Sequence, residues 1–312
     1  MIILITGGLG HIGSYLMRNL VNEIPISKIV VVDSLQTQRY SSLYRLPLAP
    51  KIKFIEKKVT EINAVEISRL GAIDCVVHLA AMTDASGNLR NSEALFNNNL
   101  GSTDAITDLC GSLEVPLIFP SSTSVYGSQS NLVDETCTEL IPQSPYAECK
   151  LKEEDLIADA IRKGLKATIL RLGTIHGISE GMRFHTAVNR FCIQSVNNIP
   201  ITVWKTALNQ KRPYLSLLDA NGAIGHVIRK SLFEGEVFNV VTKNHTVREI
   251  IDAIDHATGK KSEIDFVENR IMNQLSYEVS SKKFESTGFN FSGNLESDVS
   301  DTVKLFAGIS NE

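Results

Sequence analysis

Tyr146 and Lys150 are the residues whose types and spacing could do chemistry, at the two ends of the segment "YAECK". In a helix, residues four apart lie on one face, so the hydroxyl and the amine could serve one site. A tyrosine's ordinary pKa of about 10 is too high for a base near neutral pH, but a neighbouring ammonium favours the phenolate. The spacing therefore predicts a proton-transferring tyrosine assisted by a lysine. The alternative is a solvated helix face.

A run of hydroxyl side chains, from Ser121 to Ser124, follows the apolar segment "VPLIFP". Ligands of open α/β sheets bind at the carboxyl ends of the strands, where this run would lie. Turn formation is the alternative role for serines after a strand. Because only a short connection separates this run from Tyr146, we predict one proton-handling set made of Ser122, Tyr146 and Lys150.

A glycine-rich segment, "ILITGGLGHIG", lies at the N-terminus and contains a G-x-G-x-x-G pattern. Such glycines permit a tight turn and let backbone amides approach a pyrophosphate at a helix N-terminus. Asp33 follows the last of them by 20 residues, where a carboxylate binds an adenosine ribose and repels a 2′-phosphate. The alternative is a plain glycine turn with a solvent-facing aspartate. The pattern predicts NAD as the cofactor, contacted by Gly7, Gly10, His11, Ile12, Gly13 and Asp33.

The elements that would position these residues are short strands alternating with longer helical patterns. The candidate strands are "IILIT", "KIVVVD", "IKFIE", "DCVVHLA", "VPLIFP" and "KATILRL". Their alternation with helices predicts an α/β fold, a Rossmann doubly wound parallel sheet with a smaller mixed α/β C-terminal lobe. We expect an NAD-binding domain over residues 1–176, to which a later strand near 236–241 returns, and a mostly substrate-binding lobe over 177–312. In that lobe, Thr246 and Gly259 should begin and end a helix.

Composition excludes several classes of protein. The net charge of −4 offers no basic surface for nucleic acid. The longest apolar runs fall far short of the ~20 residues that cross a bilayer, so no membrane partner is expected. The N-terminus lacks the features of a signal peptide, which predicts a cytoplasmic protein. The five cysteines include no C-x-x-C pair, and no disulfide framework or metal site is expected.

Taken together, these motifs resemble the extended short-chain dehydrogenases/reductases, of the NAD-dependent epimerase/dehydratase kind that acts on nucleotide sugars. The matching segments occur in the family's order and spacing: "TGGLGHIG", "VVDSL", "DCVVHLAA", "NNNLGST", "PSSTSVYG" and "SPYAECK". Weaker similarity continues to "GEVFNVV", so the resemblance covers nearly the whole chain. The combination of motifs is specific, although the glycine pattern alone is not.

The resemblance implies a role for each matching residue. Tyr146 would be the acid/base, Lys150 would favour its phenolate and bind the nicotinamide ribose, and Ser122 would hydrogen-bond the reacting oxygen. Further cofactor contacts would come from Leu79, Ala80 and Ala81, with Asn99 bracing the nearby sheet end. Substrate contacts would come from Thr83, Asp84, Thr123 and Arg212, the last binding the nucleotide diphosphate. A homodimer is also expected.

The chain departs from the family pattern at several positions. Thr174 stands where epimerases often have an asparagine that contacts substrate phosphates, and Lys58 replaces an acidic residue near adenine. The segment from Ser122 to Ser124 lacks the acidic pair of the 4,6-dehydratases, which disfavours dehydration. A late family arginine is matched only by Arg270, so Arg183 or His185 could contact the substrate instead.

Three hypotheses for the function follow. The first is an NAD-dependent nucleotide-sugar epimerase acting at C4, similar to UDP-glucose 4-epimerase, in which hydride leaves, a 4-keto sugar turns over and hydride returns to its other face. The second is a nucleotide-sugar 4-ketoreductase that uses the same residues in one direction. The third is a dinucleotide-binding regulator without catalysis, which the intact proton-handling set argues against.

Overall fold

The computed structural model describes residues 1–83, 92–267 and 277–309. Its strands are, in chain order, β1 (Ile2–Thr6), β2 (Lys28–Asp33), β3 (Lys51–Glu56), β4 (Cys75–His78), β5 (Leu117–Ser122), β6 (Leu132–Val133), β7 (Ala167–Leu172), β8 (Thr174–His176), β9 (Ile201–Trp204), β10 (Lys211–Ser216), β11 (Glu234–Val240), β12 (Lys243–Thr246), β13 (Ile264–Val267) and β14 (Glu278–Val279). Within these residues, a seven-stranded parallel sheet has the order β11-β7-β5-β4-β1-β2-β3. The order reverses beside β1, and such a switch point leaves a crevice for ligands.

The helices are α1 (His11–Asn19), α2 (Ala64–Ser68), α3 (Ser92–Leu113), α4 (Pro145–Arg162), α5 (Ala187–Val196), α6 (Leu217–Lys230), α7 (Val247–Thr258), α8 (Lys282–Glu285) and α9 (Leu295–Leu305). α7 has the predicted ends. Thr246 and Glu249 form a capping box at its start, and Gly259 ends it with a left-handed φ of +69°.

The central sheet buries both of its faces, as the apolar strands predict. Alternate side chains of β1 point to opposite sides, so Ile3 and Ile5 join one core and Leu4 joins the other. The first core packs against α1 and α6, and the second against α3 and α4. The predicted doubly wound α/β fold is therefore confirmed.

The later part of the chain builds a smaller lobe around its own apolar cluster, to which α5, α7, α9 and β9 contribute. The chain also returns to the large sheet. β11 pairs in parallel with β7, where the sequence predicts a returning strand, and α6 packs on α1 through residues such as Ala223 and Val227. Phe284 and Phe289 also join that core. Several segments after residue 177 thus support the first lobe, because they cover one face of its sheet.

Candidate active site

The connection from β1 to α1 is a backbone cradle built from glycines. Gly7 has a left-handed φ of +65°, and a Cβ there would lie 2.5 Å from the backbone nitrogen of Ala80. α1 begins at His11 without a side-chain cap from Gly10. A turn whose glycines let a ligand approach the backbone, followed by the free N–H groups at the start of a helix, fits a pyrophosphate.

Asp33 ends β2 beside this cradle. Its carboxylate accepts the backbone N–H groups of Leu9 at 3.0 Å and Leu35 at 2.9 Å, which fixes its orientation at the cavity. Arg39 lines the same region; burial lowers its pKa, and the charge of Asp33 acts in the opposite direction. A fixed carboxylate and a glycine cradle together fit the adenosine ribose and pyrophosphate of NAD. Arg39 could not be predicted as a cavity residue, because it lies in a loop without periodicity.

A single cavity of about 810 Å³ runs along the carboxyl ends of the strands. It brings together predicted site residues that are far apart in the chain: Gly7, Gly10, His11, Ile12, Gly13, Asp33, Leu79, Ala80, Ala81, Thr83, Ser122, Thr123, Tyr146, Lys150, Thr174, Arg183 and Arg212. Asp84 and Arg270 lie outside the described residues.

Ser122 is the last residue of β5, at the edge of the sheet that faces the cavity. A short 3₁₀ turn from Thr123 to Tyr126 follows it. The Ser122 hydroxyl oxygen accepts hydrogen bonds from the backbone N–H of Ser124 at 3.2 Å and from its hydroxyl at 2.8 Å. The turn therefore fixes this hydroxyl at the cavity wall.

Tyr146 and Lys150 lie in the first two turns of α4, so the predicted helical spacing is observed. Ser144 caps this helix by accepting the N–H of Ala147 at 3.2 Å, and Pro145 occupies the first turn. Because these signals fix where α4 begins, they place both side chains on the same cavity as Ser122. A phenol, an ammonium and a serine hydroxyl on one wall can transfer a proton to or from a ligand hydroxyl.

The ammonium of Lys150 is buried among partners. It donates to the carbonyl oxygen of Pro120 at 3.2 Å, lies 3.1 Å from a carboxylate oxygen of Glu153 and sits 4.6 Å from the ring centroid of Phe119. Burial lowers the pKa of Lys150, but Glu153 and then Tyr146 raise it, and the net shift is upward. Glu153 was not among the predicted site residues, although its i+3 spacing from Lys150 could have indicated it.

The end of β4 forms another wall of the cavity. His78 bonds through Nδ1 to the Thr6 hydroxyl at 2.7 Å, and burial lowers its pKa to about 3, so the ring is neutral. Asn99 lies behind this wall, fully buried, and its amide bonds both the N–H and the C=O of Met82 at 2.7 and 2.9 Å. Asn99 thus braces the segment that carries Leu79 to Ala81 along the cavity.

The far wall comes from the second lobe and its connections. Thr174 begins β8, Arg212 lies on β10 and Arg183 lies before α5. The Arg212 guanidinium sits 5.7 Å from the ring centroid of Trp204, a residue that the sequence analysis did not single out. His185 also lines this wall.

A buried polar network supports the strand ends from behind. Arg171 on β7 binds Glu154 through two nitrogens, the closest contact being 2.7 Å, and also donates to the Tyr126 hydroxyl at 3.0 Å. Glu154 accepts a hydrogen bond of 2.5 Å from Ser121, and Tyr126 donates to Asn239 on β11 at 2.9 Å. The network joins β5, β7, β11 and α4, so the strand that ends in Ser122 and the helix that carries Tyr146 are held together.

Among the described residues, no group of three histidine, cysteine, aspartate or glutamate side chains is placed to hold a metal ion. The same part of the chain contains no helix long and apolar enough to cross a bilayer. The described cysteines, Cys75, Cys110, Cys137, Cys149 and Cys192, are all free thiols.

Known proteins resemble this chain in both sequence and fold. A trifunctional UDP-glucose 4,6-dehydratase/UDP-4-keto-6-deoxy-D-glucose 3,5-epimerase/UDP-4-keto-L-rhamnose-reductase of Arabidopsis thaliana is 28% identical over 97% of the chain. The chain spans only 47% of that relative's length. A Bacillus subtilis protein described as an uncharacterized UDP-glucose epimerase is 28% identical over 85% of the chain and 84% of its own length.

Among solved structures, a UDP-glucuronic acid 4-epimerase from Bacillus cereus in complex with NAD has the same fold, with a TM-score of 0.86 and 24% identity. The alignment covers 98% of this chain and all of that one. The family model described as "NAD dependent epimerase/dehydratase family" matches residues 3–240, which include the glycine cradle, Ser122, Tyr146 and Lys150. The chain therefore belongs to the NAD-dependent epimerase/dehydratase family, and its cofactor is NAD.

Proposed function

We propose that this protein is an NAD-dependent nucleotide-sugar epimerase that inverts C4 through a transient 4-keto sugar. The observation that carries the proposal is one continuous cavity. It joins the dinucleotide cradle at Gly7 and Asp33 to the set of Ser122, Tyr146 and Lys150, and extends to the second lobe. A cofactor and a nucleotide sugar could therefore meet at the proton-handling residues.

The residues of the chain have distinct roles in this proposal. Tyr146 accepts the proton of the sugar C4 hydroxyl and later returns it. Lys150 favours the phenolate by its charge, and Ser122 hydrogen-bonds the reacting oxygen. When bound, NAD supplies the hydride acceptor and donor. Inversion requires the keto sugar to present its other face before hydride returns.

The side chains after β5 favour epimerisation over dehydration. Removing water across C5 and C6 needs groups that move protons at those carbons, and the 3₁₀ turn presents the hydroxyls of Thr123 and Ser124 instead of carboxylates. A hydroxyl without an activating partner is a poor acid or base near neutral pH. Because relatives of this chain include dehydratases, this difference at two positions matters for the assignment.

The charges on the cavity wall suit a ligand with phosphates. Among the described lining residues, the only carboxylate is that of Asp33, and the basic ones are Arg39, Lys57, Lys58, Lys150, Arg183, Arg190 and Arg212. Such an excess of positive charge attracts and holds diphosphate groups. NAD and a nucleoside-diphosphate sugar would each bring one, and Arg212 is proposed to bind that of the sugar.

Two measurements on one preparation test the proposal. The protein is purified without added cofactor, and nucleotide released by heating is quantified against the protein concentration. The same preparation is then incubated with UDP-, dTDP- and GDP-sugars, and products are identified by proton NMR. We expect tightly bound NAD and a C4 epimer of at least one nucleotide sugar, formed without added NAD or NADH.

Other results would point elsewhere. Reduction of a 4-keto nucleotide sugar only when NADH is added would identify a ketoreductase, because a reductase must exchange its cofactor in each turnover. NAD binding without any sugar conversion would favour a non-catalytic regulator. Formation of a 4-keto-6-deoxy product would show that the protein dehydrates its substrate even though Thr123 and Ser124 carry hydroxyls in place of carboxylates.

Three further expectations stay predictions: a homodimer, a cytoplasmic location, and the division into residues 1–176 and 177–312. Sedimentation velocity would test the first. Because the chain spans about half the length of the relatives it first matches, activity measurements should use the chain in the context in which it is expressed.

A further inference from the structure

Glu153 is a buried carboxylate beside Lys150, and neither the proton-handling set nor the cofactor cradle accounts for it. It is 0% exposed, and its Oε2 lies 3.1 Å from the Lys150 ammonium, one helical turn earlier on α4. From α3, the fully buried Thr103 hydroxyl donates to Oε1 at 2.7 Å. Burying an unpaired carboxylate is costly, so this placement depends on its two partners.

Glu153 lies behind Lys150 as seen from the cavity. Lys150 lines the cavity, whereas Glu153 faces α3 and contacts Thr103 there. A ligand in the cavity would thus meet the ammonium and not the carboxylate. Any influence of Glu153 on a bound sugar or nicotinamide must therefore act through Lys150.

The groups facing Lys150 come from three elements. From β5, the Pro120 carbonyl and the Phe119 ring contact the ammonium. From β4, His78 faces the ammonium. Burial is the larger cause that lowers the pKa of His78, and the charge of Lys150 is the smaller one; together they lower it to about 3, so the imidazole ring is neutral.

From α4 itself, three titratable groups face Lys150: Tyr146, Cys149 and Glu153. Burial raises the pKa of Cys149 to about 12, so its thiol is also neutral near physiological pH. Among the described groups, Glu153 is therefore the carboxylate that compensates the charge of Lys150.

The direction of the effect on Lys150 follows from these surroundings. Burial alone favours the neutral amine, and it is the largest influence on this pKa. Glu153 acts against burial both by its charge and by hydrogen bonding, and the net shift is upward. With Glu153 neutralised, burial would dominate and Lys150 would lose its proton at a lower pH.

We propose that Glu153 is a positioning residue for the reaction, which holds the Lys150 ammonium at the cavity wall and keeps it charged into the alkaline range. The inference rests on the proposed function, because Tyr146 needs the adjacent positive charge to act as a base. Thr103 completes the arrangement by fixing the carboxylate from α3.

The test compares Glu153→Gln with the parent protein in two measurements. In the pH profile of kcat, we expect the alkaline limb to move to lower pH by about one unit or more, with KM for the nucleotide sugar little changed. The second measurement needs no turnover: NMR titration of lysine labelled with ¹³C at Cε, with the Lys150 signal assigned from Lys150→Arg. Its titration should move to lower pH in Glu153→Gln.

Two other variants separate this role from general damage. Glu148→Gln removes an exposed carboxylate from the same helix and should change neither measurement. Thr103→Val keeps the shape of the side chain and removes the donor to Glu153; it should shift both measurements in an intermediate way, and it serves as the test if Glu153→Gln does not fold.

An unchanged alkaline limb and an unchanged Lys150 titration in a folded variant would overturn the inference and leave Glu153 a structural link between α3 and α4. If the parent converts no nucleotide sugar, the proposed function fails separately. The NMR titration still decides whether Glu153 keeps Lys150 charged.

Discussion

At the residue scale, the proposed mechanism combines one group that moves a proton with neighbours that make it able to do so. Tyr146 supplies the oxygen, Lys150 supplies positive charge, and Ser122 is fixed by its bonds to Ser124. Removing the Tyr146 hydroxyl should therefore strongly slow the chemistry and leave the cofactor cradle intact.

We predict that Tyr146→Phe lowers kcat by roughly 10²–10⁴-fold, because it deletes the proton-carrying oxygen and keeps the ring. The bound NAD content should stay at the parent level. Turnover by NMR and released NAD are measured on the same sample. Tyr44→Phe, which alters a tyrosine that is 62% exposed, is the control. Near-normal turnover of Tyr146→Phe would remove this residue from the mechanism.

Asp33 and Arg39 line the cavity together, and we predict that they set the cofactor preference. Replacing Asp33 with Ser removes charge-assisted bonds to the ribose, worth about 1.5–3 kcal/mol, so NAD should bind roughly ten- to a hundredfold more weakly. It also removes the carboxylate that repels a 2′-phosphate and leaves Arg39 on the same cavity wall to bind one, so NADP affinity should rise.

Calorimetric titration of both nucleotides into the variant checks this. Adding Arg39→Ala to Asp33→Ser should abolish the gain for NADP while keeping the loss for NAD. A parent protein that already prefers NADP would contradict the role given to Asp33.

At the scale of elements, the site depends on where strands end and helices begin. Ser144 and Pro145 fix the start of α4, and the glycine turn fixes the start of α1. A Cβ at Gly13 would lie 2.5 Å from the Cα of Gly8, so the turn and the first helical turn are packed backbone to backbone.

Gly13→Ala and Gly101→Ala should therefore change the free energy of unfolding in opposite directions, although both add a methyl group to a helix. At Gly101 on α3, no atom of the described residues lies within 4 Å of the added carbon, apart from its chain neighbours and the backbone of its own helix. Helix propensity should therefore raise the free energy of unfolding by about 0.5–1 kcal/mol. At Gly13 the contact with backbone should lower it by about 1–3 kcal/mol and weaken NAD binding. Urea denaturation and NAD titration measure both, and equal effects would refute the packing argument.

At the scale of the whole molecule, two neutral histidines are buried where distant segments meet. His11 bonds the carbonyl of Gly177 at 2.8 Å, and burial lowers its pKa to about 4. His78 lies under the cavity with a pKa lowered to about 3, again chiefly by burial. Both side chains are at most 4% exposed.

These depressed pKa values predict a loss of stability in acid. Below about pH 6.5 the unfolded chain binds a proton at each histidine, whereas the folded chain does not. The contribution of these histidines to the free energy of unfolding is therefore complete above pH 6.5 and is lost as the pH falls toward 4 and 3. In this range the free energy of unfolding should fall by roughly 1 kcal/mol per pH unit for each histidine. Urea denaturation between pH 7.5 and 5 measures it. The double variant His11→Gln, His78→Asn should show a smaller slope, and an equal slope would contradict the prediction.

The sequence by itself determined the local features of this protein. Periodicity and β-branched runs predicted the central strands, and β2 and α7 have the predicted bounds. Glycine turns, helix caps and the i+4 spacing of a helix face all involve residues that are close together in the sequence. For that reason the turn at Gly7 and the shared face of Tyr146 and Lys150 could be predicted.

Tertiary structure alone decided which distant groups meet. Thr103 reaches Glu153 across α3 and α4, and His11 reaches Gly177. No sequence spacing encodes these contacts, because they depend on the order of strands in the sheet and on how helices pack over it. The environment of Lys150 is therefore a property of the folded molecule. The i+3 spacing can indicate Glu153 as a partner, but the pair is buried only when β5 and α3 pack against α4.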